Sequence, residues 1–278
     1  MNETETRFLE RKATQIRKRI VEAIASAGVG HIGGCLSVAD VLTVLYYKHM
    51  RIDCGRPDMC GRDRLIMSKG HAGPAVYAVL ADKGYFPIEA LLTVNQPETR
   101  LPSHCDMVRT RGVDMTAGSL GQGLSCAVGM AKASKIKKDG ARIYAIIGDG
   151  ESQEGQIWEA SMLAAHLKLD NLIAFLDYNK LQIDGPICDI NGLEPVGDKW
   201  AAFGWNVLDV PDGNDTAQID EAIARVKTCV GKPSMLILNT VKGKGVSFVE
   251  CAGAGNHNMT FSQEQKRAAL AELDKEMA

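Results

Sequence analysis

The chain has 278 residues, 45% hydrophobic and 24% charged, with Lys+Arg 32 against Asp+Glu 34 and a formal net charge of −2. That length buries a full core without disulfide or metal staples, and the charge balance gives no footprint for nucleic acid or an anionic membrane. No apolar run approaches the ~20 residues of a membrane helix, and the charged opening MNETETRFLERKATQIRKRI lacks the apolar stretch of a signal peptide, so a cytoplasmic location is expected.

In chain order, helical periodicity runs from about Thr4 to Ala27. A second helix is expected to open at Ser37, because Ser37-Val38-Ala39-Asp40 has the pattern of a capping box with a short acid. The eight cysteines are scattered with no C-x-x-C pair, and Cys54 and Cys60 lack the second pair that a structural zinc needs, so reduced thiols are expected. Arg64–Ser68 reads as a strand running into the turn Lys69-Gly70-His71. Ala72–Lys83 reads as a helix with Pro74 in its first turn. Pro97–Asp114 has no sustained apolar period and reads as an irregular loop, a segment type that often carries function in a compact domain.

From Gly121 the pattern becomes regular. GQGLSCAVGMAKASKIKK suits a buried helix, Arg142–Gly148 a strand, Gln153–Leu167 a helix and Asn171–Asn179 a second strand. Trp205–Val210, Asp215–Cys229 and Ser234–Val241 continue as strand, helix and strand, and Ser262-Gln263-Glu264-Gln265 opens a last helix over about 262–278. Continuous apolar strands alternating with helices predict an α/β fold, a doubly wound parallel sheet with helices on both faces, as a single domain over 1–278.

Ligands of such sheets gather beyond the carboxyl ends of the strands. Two strands end there in Gly148-Asp149-Gly150 and in Tyr178-Asn179-Lys180-Leu181. A carboxylate, an amide oxygen and a backbone carbonyl are hard donors suited to Mg²⁺ or Ca²⁺, whose shell phosphate oxygens and water complete. Gly-Asp-Gly by itself is equally the sequence of a turn. Its pairing with Asn179 on an adjacent strand is what points to a site.

The histidines are at 31, 49, 71, 104, 166 and 257. His49 and His166 follow helical apolar stripes and read as structural or exposed. The other four sit in loops or beside glycines, where a side chain reaches a ligand, and imidazole can bind a hydroxyl or shuttle a proton near neutral pH. Glu154, in the first turn of a helix, is accounted for by the helix dipole alone.

GDGESQEG followed by LDYNKLQIDG resembles the thiamine diphosphate motif, and the chain from about residue 10 to 257 resembles the N-terminal half of transketolase. The segments that carry the likeness are GHIGGCLSVAD (30–40), SKGHA (68–72), TAGSLGQGLS (116–125), GDGESQEG (148–155), DYNKLQIDG (177–185), FGWNV (203–207) and VKGKGVSFVE (241–250). The resemblance implies the diphosphate domain of the thiamine diphosphate-binding fold. Asp149, Asn179 and the Leu181 carbonyl would hold Mg²⁺, with Ca²⁺ or Mn²⁺ able to substitute. Gly150 would lie against the diphosphate, with Gly118, Ser119 and Leu120 on the aminopyrimidine side. His71 and His257 would contact the diphosphate, while His31, His104 and His257 would face the sugar as catalytic groups. Glu154 would help connect the two active sites of a dimer. Two departures stand out: Ile32 replaces the proline of Gly-His-Pro-Gly, and His257 lies in Asn-His-Asn rather than before glycine.

The implied reaction moves a two-carbon ketol unit from a ketose phosphate to an aldose, with thiamine diphosphate as the electron sink. Pentose phosphates are the default sugars, branched or sulfonated sugar phosphates the alternatives. In transketolases a glutamate from a second, pyrimidine-binding domain activates the cofactor, and no segment here matches that domain. The expectation is therefore a subunit that is active only with a C-terminal partner chain, in an α2β2 heterotetramer. Three alternatives share parts of the pattern: the α subunit of a 2-oxo acid dehydrogenase E1, deoxyxylulose-phosphate synthase, and a non-catalytic subunit of the same fold.

Overall fold

The computed structural model describes residues 1–277. Helix α1 (Glu3–Ala27) opens on a complete capping box between Asn2 and Glu5 and stops where Gly28 turns left-handed at φ 79°. Its buried stripe, Leu9, Ala13, Ile16, Ile20 and Ile24, follows the helical period. There follow β1 (Arg64–Met67), α2 (Gly73–Asp82), α3 (Gln122–Lys137), β2 (Ile143–Gly148), α4 (Gly155–His166) and β3 (Leu172–Asp177). Then come β4 (Asn206–Val210), α5 (Thr216–Val226), β5 (Ser234–Leu238) and α6 (Gln263–Met277).

The five strands form one parallel sheet in the order β1-β2-β3-β5-β4. The continuous apolar runs are explained by burial on both faces. Tyr144, Ile146, Ile173, Phe175, Leu236 and Leu238 point into a core shared with α1, α2, α5 and α6. Their neighbours Ile143, Ala145, Ile147, Leu172, Ala174, Met235 and Ile237 point into a second core under α3 and α4. The capping box expected at the last helix is present, Ser262 and Gln265 exchanging bonds of 2.8 and 3.1 Å.

The expected capping box at Ser37 is not formed. Two short helices, Ile32–Leu36 and Ala39–Val44, flank that residue, and Val38 precedes the second without a side-chain cap. Ser37 Oγ instead donates to Asp177 Oδ2 at 2.8 Å, and Asp40 pairs with the buried Arg17. A partner 140 residues away outcompetes the local cap. The segment 97–114 is irregular, as its composition predicts. All eight cysteines are free, and among the described residues no helix is long and apolar enough to cross a membrane.

Candidate active site

The carboxyl ends of four strands open onto one cleft of about 390 Å³. Lys69 follows β1, Asp149 follows β2, Asn179 follows β3 and Lys242 follows β5, and all four line it. The parallel pairing of β2 with β3, with Gly148 opposite Asp177, brings Asp149 and Asn179 to the same rim.

Two buried carboxylates that the sequence reading passed over hold this rim together. Glu151 accepts from Ser68 Oγ, from Gly121 N at 2.9 Å and from Gly148 N at 3.0 Å, pinning three glycine-rich segments at one point. Gly121 needs its φ of +87° to open α3 there, and a Cβ on Gly123 would come within 2.5 Å of Ser68 Oγ. Asp177, fully buried, accepts from Lys69 Nζ at 2.6 Å, Ser37 Oγ at 2.8 Å, Asn179 Nδ2 at 2.9 Å and Thr240 Oγ1 at 2.5 Å. Burial alone would raise its pKa, but the Lys69 ammonium and these bonds hold it below the usual carboxylate range. Fixing the Asn179 amide nitrogen on Asp177 determines where its oxygen points, beside Leu181 N at 3.1 Å.

Asp149 is in the opposite situation. It is 3% exposed, and among the described residues its carboxylate accepts hydrogen bonds from the backbone amides of Gly150 and Lys180 alone. Burial first, then the nearby Asp177, raises its pKa to about 7. Leu181 O, the third expected donor to a metal, accepts Lys242 Nζ at 3.0 Å. A lysine ammonium thus stands at the carbonyl where a cation was expected. Burial and the neighbouring Lys69 push the pKa of Lys242 down to about 8. This donor set of carboxylate, amide oxygen and carbonyl suits a hard divalent cation, and Lys69 and Lys242 suit an anionic group beside it. Among the described residues no three His, Cys, Asp or Glu side chains are grouped so as to hold a metal ion by themselves.

Four histidines face the cleft. His31 lies 5.2, 5.7 and 5.3 Å from His71, His104 and His257 between ring centroids, and His71 lies 5.0 Å from His257. A two-residue antiparallel pair, Val29–Gly30 with Met259–Thr260, brings together His31 and His257 from opposite ends of the chain. Burial, then the lysine charges, pushes His71 down to about 2 and His257 to about 3; burial, then His104 and Lys242, also lowers His31. The cluster is therefore a set of neutral donors and acceptors at neutral pH.

Of the residues singled out from sequence, His31, His71, His104, His257, Gly118, Leu120, Asp149, Gly150, Glu154, Asn179 and Leu181 line the one cleft. Ser119 does not: it is exposed between Gly118 and Leu120, outside the lining. Glu154 precedes α4 at its N-cap without capping it. His49 does not line the cleft and is bonded to Asp220 and Lys227, and His166 is exposed. Lys69, Asp177, Gln182 and Lys242 also line the cleft, although the sequence reading gave them no role.

The profile of the transketolase, thiamine diphosphate binding domain family matches residues 9–271. A 6-deoxy-6-sulfo-D-fructose transketolase subunit from Clostridium sp. (strain MSTE9) is 57% identical over 97% of this chain and 98% of its own length. An apulose-4-phosphate transketolase subunit from Phocaeicola vulgatus is 40% identical over 94% of this chain and 92% of its own. The solved transketolase from Leishmania mexicana superposes with a TM-score of 0.89 at 31% identity, covering 96% of this chain and 41% of that one. The chain thus spans about two-fifths of that transketolase's length.

Proposed function

The chain belongs to the transketolase family, as its thiamine diphosphate-binding domain, and from that premise we propose that it is the diphosphate- and metal-holding subunit of a two-chain ketol transferase. The observation that carries this is that Asp149, Asn179 and Leu181 line one cleft together with four neutral histidines. Asp149, Asn179 and Leu181 O would hold Mg²⁺. Lys242 would leave Leu181 O and, with Lys69, His71 and Gly150, face the diphosphate. Bound there, thiamine diphosphate supplies the carbanion and the electron sink for breaking and remaking a carbon–carbon bond.

The chain's own residues would then orient the sugar and move protons. His31, His104 and His257 are unprotonated at neutral pH, so each can accept from a sugar hydroxyl or carry a proton between oxygens. Gly118 and Leu120 would border the aminopyrimidine, and the exposed Glu154 would face a neighbouring subunit. A second polypeptide carrying the pyrimidine-binding domain would supply the activating glutamate, in an α2β2 assembly. This reading is supported by relatives that are named as subunits and match this chain nearly end to end.

The proposed donor is a ketose with an anionic tail, 6-deoxy-6-sulfo-D-fructose first among candidates because that relative shares 57% of positions. The test is reconstitution with the partner chain, Mg²⁺ and thiamine diphosphate. Sulfofructose, apulose 4-phosphate and a pentulose phosphate are offered as donors to an aldose phosphate. Ketol transfer only with both chains present is the expected result. Full activity of this chain alone would defeat the two-chain reading, and decarboxylation of pyruvate instead would favour the 2-oxo acid dehydrogenase alternative.

A further inference from the structure

Asn256, the residue before His257, is fully buried; it does not line the cleft and has no part in the proposed chemistry. Its side-chain nitrogen donates to Lys242 O at 3.1 Å and to Val249 O at 2.9 Å. Backbone carbonyls only accept, so the NH₂ group faces them and Oδ1 faces the other way. That oxygen lies against Gly33, where an added Cβ would come within 2.2 Å of it. Gly33 O in turn accepts from Gly243 N at 3.1 Å. One carboxamide thus touches three stretches of chain: the short helix Ile32–Leu36 that follows His31, the turn that opens at Lys242, and the short helix Ser247–Cys251.

At the cleft, Lys242 and His257 meet although 15 positions separate them, Nζ lying 3.3 Å from Nδ1. His31 lies 5.3 Å from His257 between ring centroids. No helix or strand holds Lys242: it stands in a turn whose Gly243 and Gly245 have φ of 93° and 92°. A lysine is a point charge on a flexible four-carbon stem, so it is placed only as well as its backbone is placed. Asn256 anchors that backbone at the carbonyl of Lys242 itself, and it does so from the position next to His257.

We infer that Asn256 is a positioning residue: by clamping the Lys242 and Val249 carbonyls against Gly33, it holds the Lys242 ammonium beside His257 in the cleft. What Lys242 does there, facing a diphosphate, rests on the proposed function; the clamp does not. Asn256 reaches no ligand and acts through Lys242.

The probe is inorganic pyrophosphate with Mg²⁺, titrated calorimetrically into the full chain at neutral pH. Asn256→Ala is expected to weaken uptake about tenfold, the worth of one hydrogen bond to a charged group. Lys242→Ala should weaken it about as much, and adding Asn256→Ala to that variant should change little more, because the asparagine acts through the lysine. A merely structural asparagine would weaken both backgrounds equally. Equal losses in the two backgrounds, or an Asn256→Ala chain that binds like wild type, overturn the inference. If the alanine variant does not fold, the wild type decides. The side-chain amide protons of Asn256, followed by NMR, should exchange slowly with solvent, and rapid exchange overturns the clamp. A wild-type chain that takes up no pyrophosphate would strike the diphosphate reading, while the amide exchange would still judge Asn256.

Discussion

The two ends of the parallel sheet differ in one buried carboxylate. Asp114 at the amino ends is ion-paired, whereas Asp149 at the carboxyl ends has no ion-pair partner among the described residues, although its neighbours Asp177 and Glu151 are fully bonded. At the amino ends of β1 and β2, Asp114 accepts from Arg62 Nη2 and from Leu65 N at 2.8 Å, while Asp63 accepts from Arg51 N at 2.9 Å and Arg142 N at 2.8 Å. Asp114 thus has a cationic partner from the chain itself. At the carboxyl ends, Asp149 is as deeply buried but faces a second carboxylate and an open cleft, and its pKa is raised to about 7. A buried charge answered within the chain is part of the fold. One left facing a cavity holds a place for something from outside.

The contrast predicts that the two kinds of aspartate fail differently. Asp114→Ala strands the Arg62 guanidinium, which is 9% exposed, and is expected to cost about 3–5 kcal/mol of folding stability. Denaturant unfolding measures it, and a cost under about 1 kcal/mol would erase the distinction between the two ends. Asp149→Ala removes a carboxylate that the metal-free fold disfavours, so its unfolding midpoint should hold or rise. Ketol transfer by the proposed two-chain enzyme should nevertheless fall about a hundredfold, as for loss of a group at a metal site. Calorimetry should show weakened uptake of thiamine diphosphate with Mg²⁺. An Asp149→Ala chain that loses stability but keeps the cofactor would reverse the assignment.

The same contrast has a pH signature. Because the Asp149 pKa is raised from 3.8 to about 7, the metal-free fold holds its proton in preference to the unfolded chain. Stability from this group is therefore present at acid pH and falls as pH rises toward 7. A cation needs the carboxylate, so the gain in melting temperature from Mg²⁺ with thiamine diphosphate should increase from about pH 6 to about pH 8. His71 and His257, held down to about 2 and about 3, stay neutral across that window. Lys242, pushed down to about 8, titrates at its upper edge, so Asp149 is read from the rise between about pH 6 and about pH 7. A gain that is flat in pH would mean that Asp149 is not the group the cation displaces a proton from.

Much of this was legible in the sequence because it is written in local pattern. The apolar runs of β2, β3 and β5, the capping box at Ser262, and the polar residues at strand ends all report their structure within a few positions. Asp149 and Asn179 could be paired because parallel strands carry their ends to one rim. What was not legible is long-range choice of partner. Ser37 looks like a helix cap until Asp177 is beside it, and Lys69 and Lys242 look like ordinary turn lysines beside glycine until the fold buries them. Glu151 lies in the same motif as Asp149 and Glu154, yet only the approach of Ser68 and Gly121 shows that it organises the rim. Ser119 is the other kind of case: the motif names it with Gly118 and Leu120, and here it is exposed beside them without lining the cleft.

The smallest effect belongs to a cluster that resembles a site but is answered on every side. His49 Nε2–H donates to Asp220 Oδ1 at 2.8 Å, Lys227 Nζ donates to His49 Nδ1 at 3.0 Å, and Lys48 Nζ reaches Asp220 at 3.0 Å. Burial first, then the Lys227 ammonium, lowers the His49 pKa from 6.5 to about 4 despite Asp220. The unfolded chain therefore takes up the proton first. Stability from His49 is full above 6.5 and is lost as pH falls toward about 4. His49→Gln should cost about 1 kcal/mol at neutral pH, the worth of a hydrogen bond, and the gap to wild type should narrow on acidification. Activity of the two-chain enzyme should be unmoved, since this cluster does not line the cleft. A gap that widens at acid pH would show a charged, ion-paired histidine, and the amino-end cluster would then not be the self-answered counterpart of the cleft.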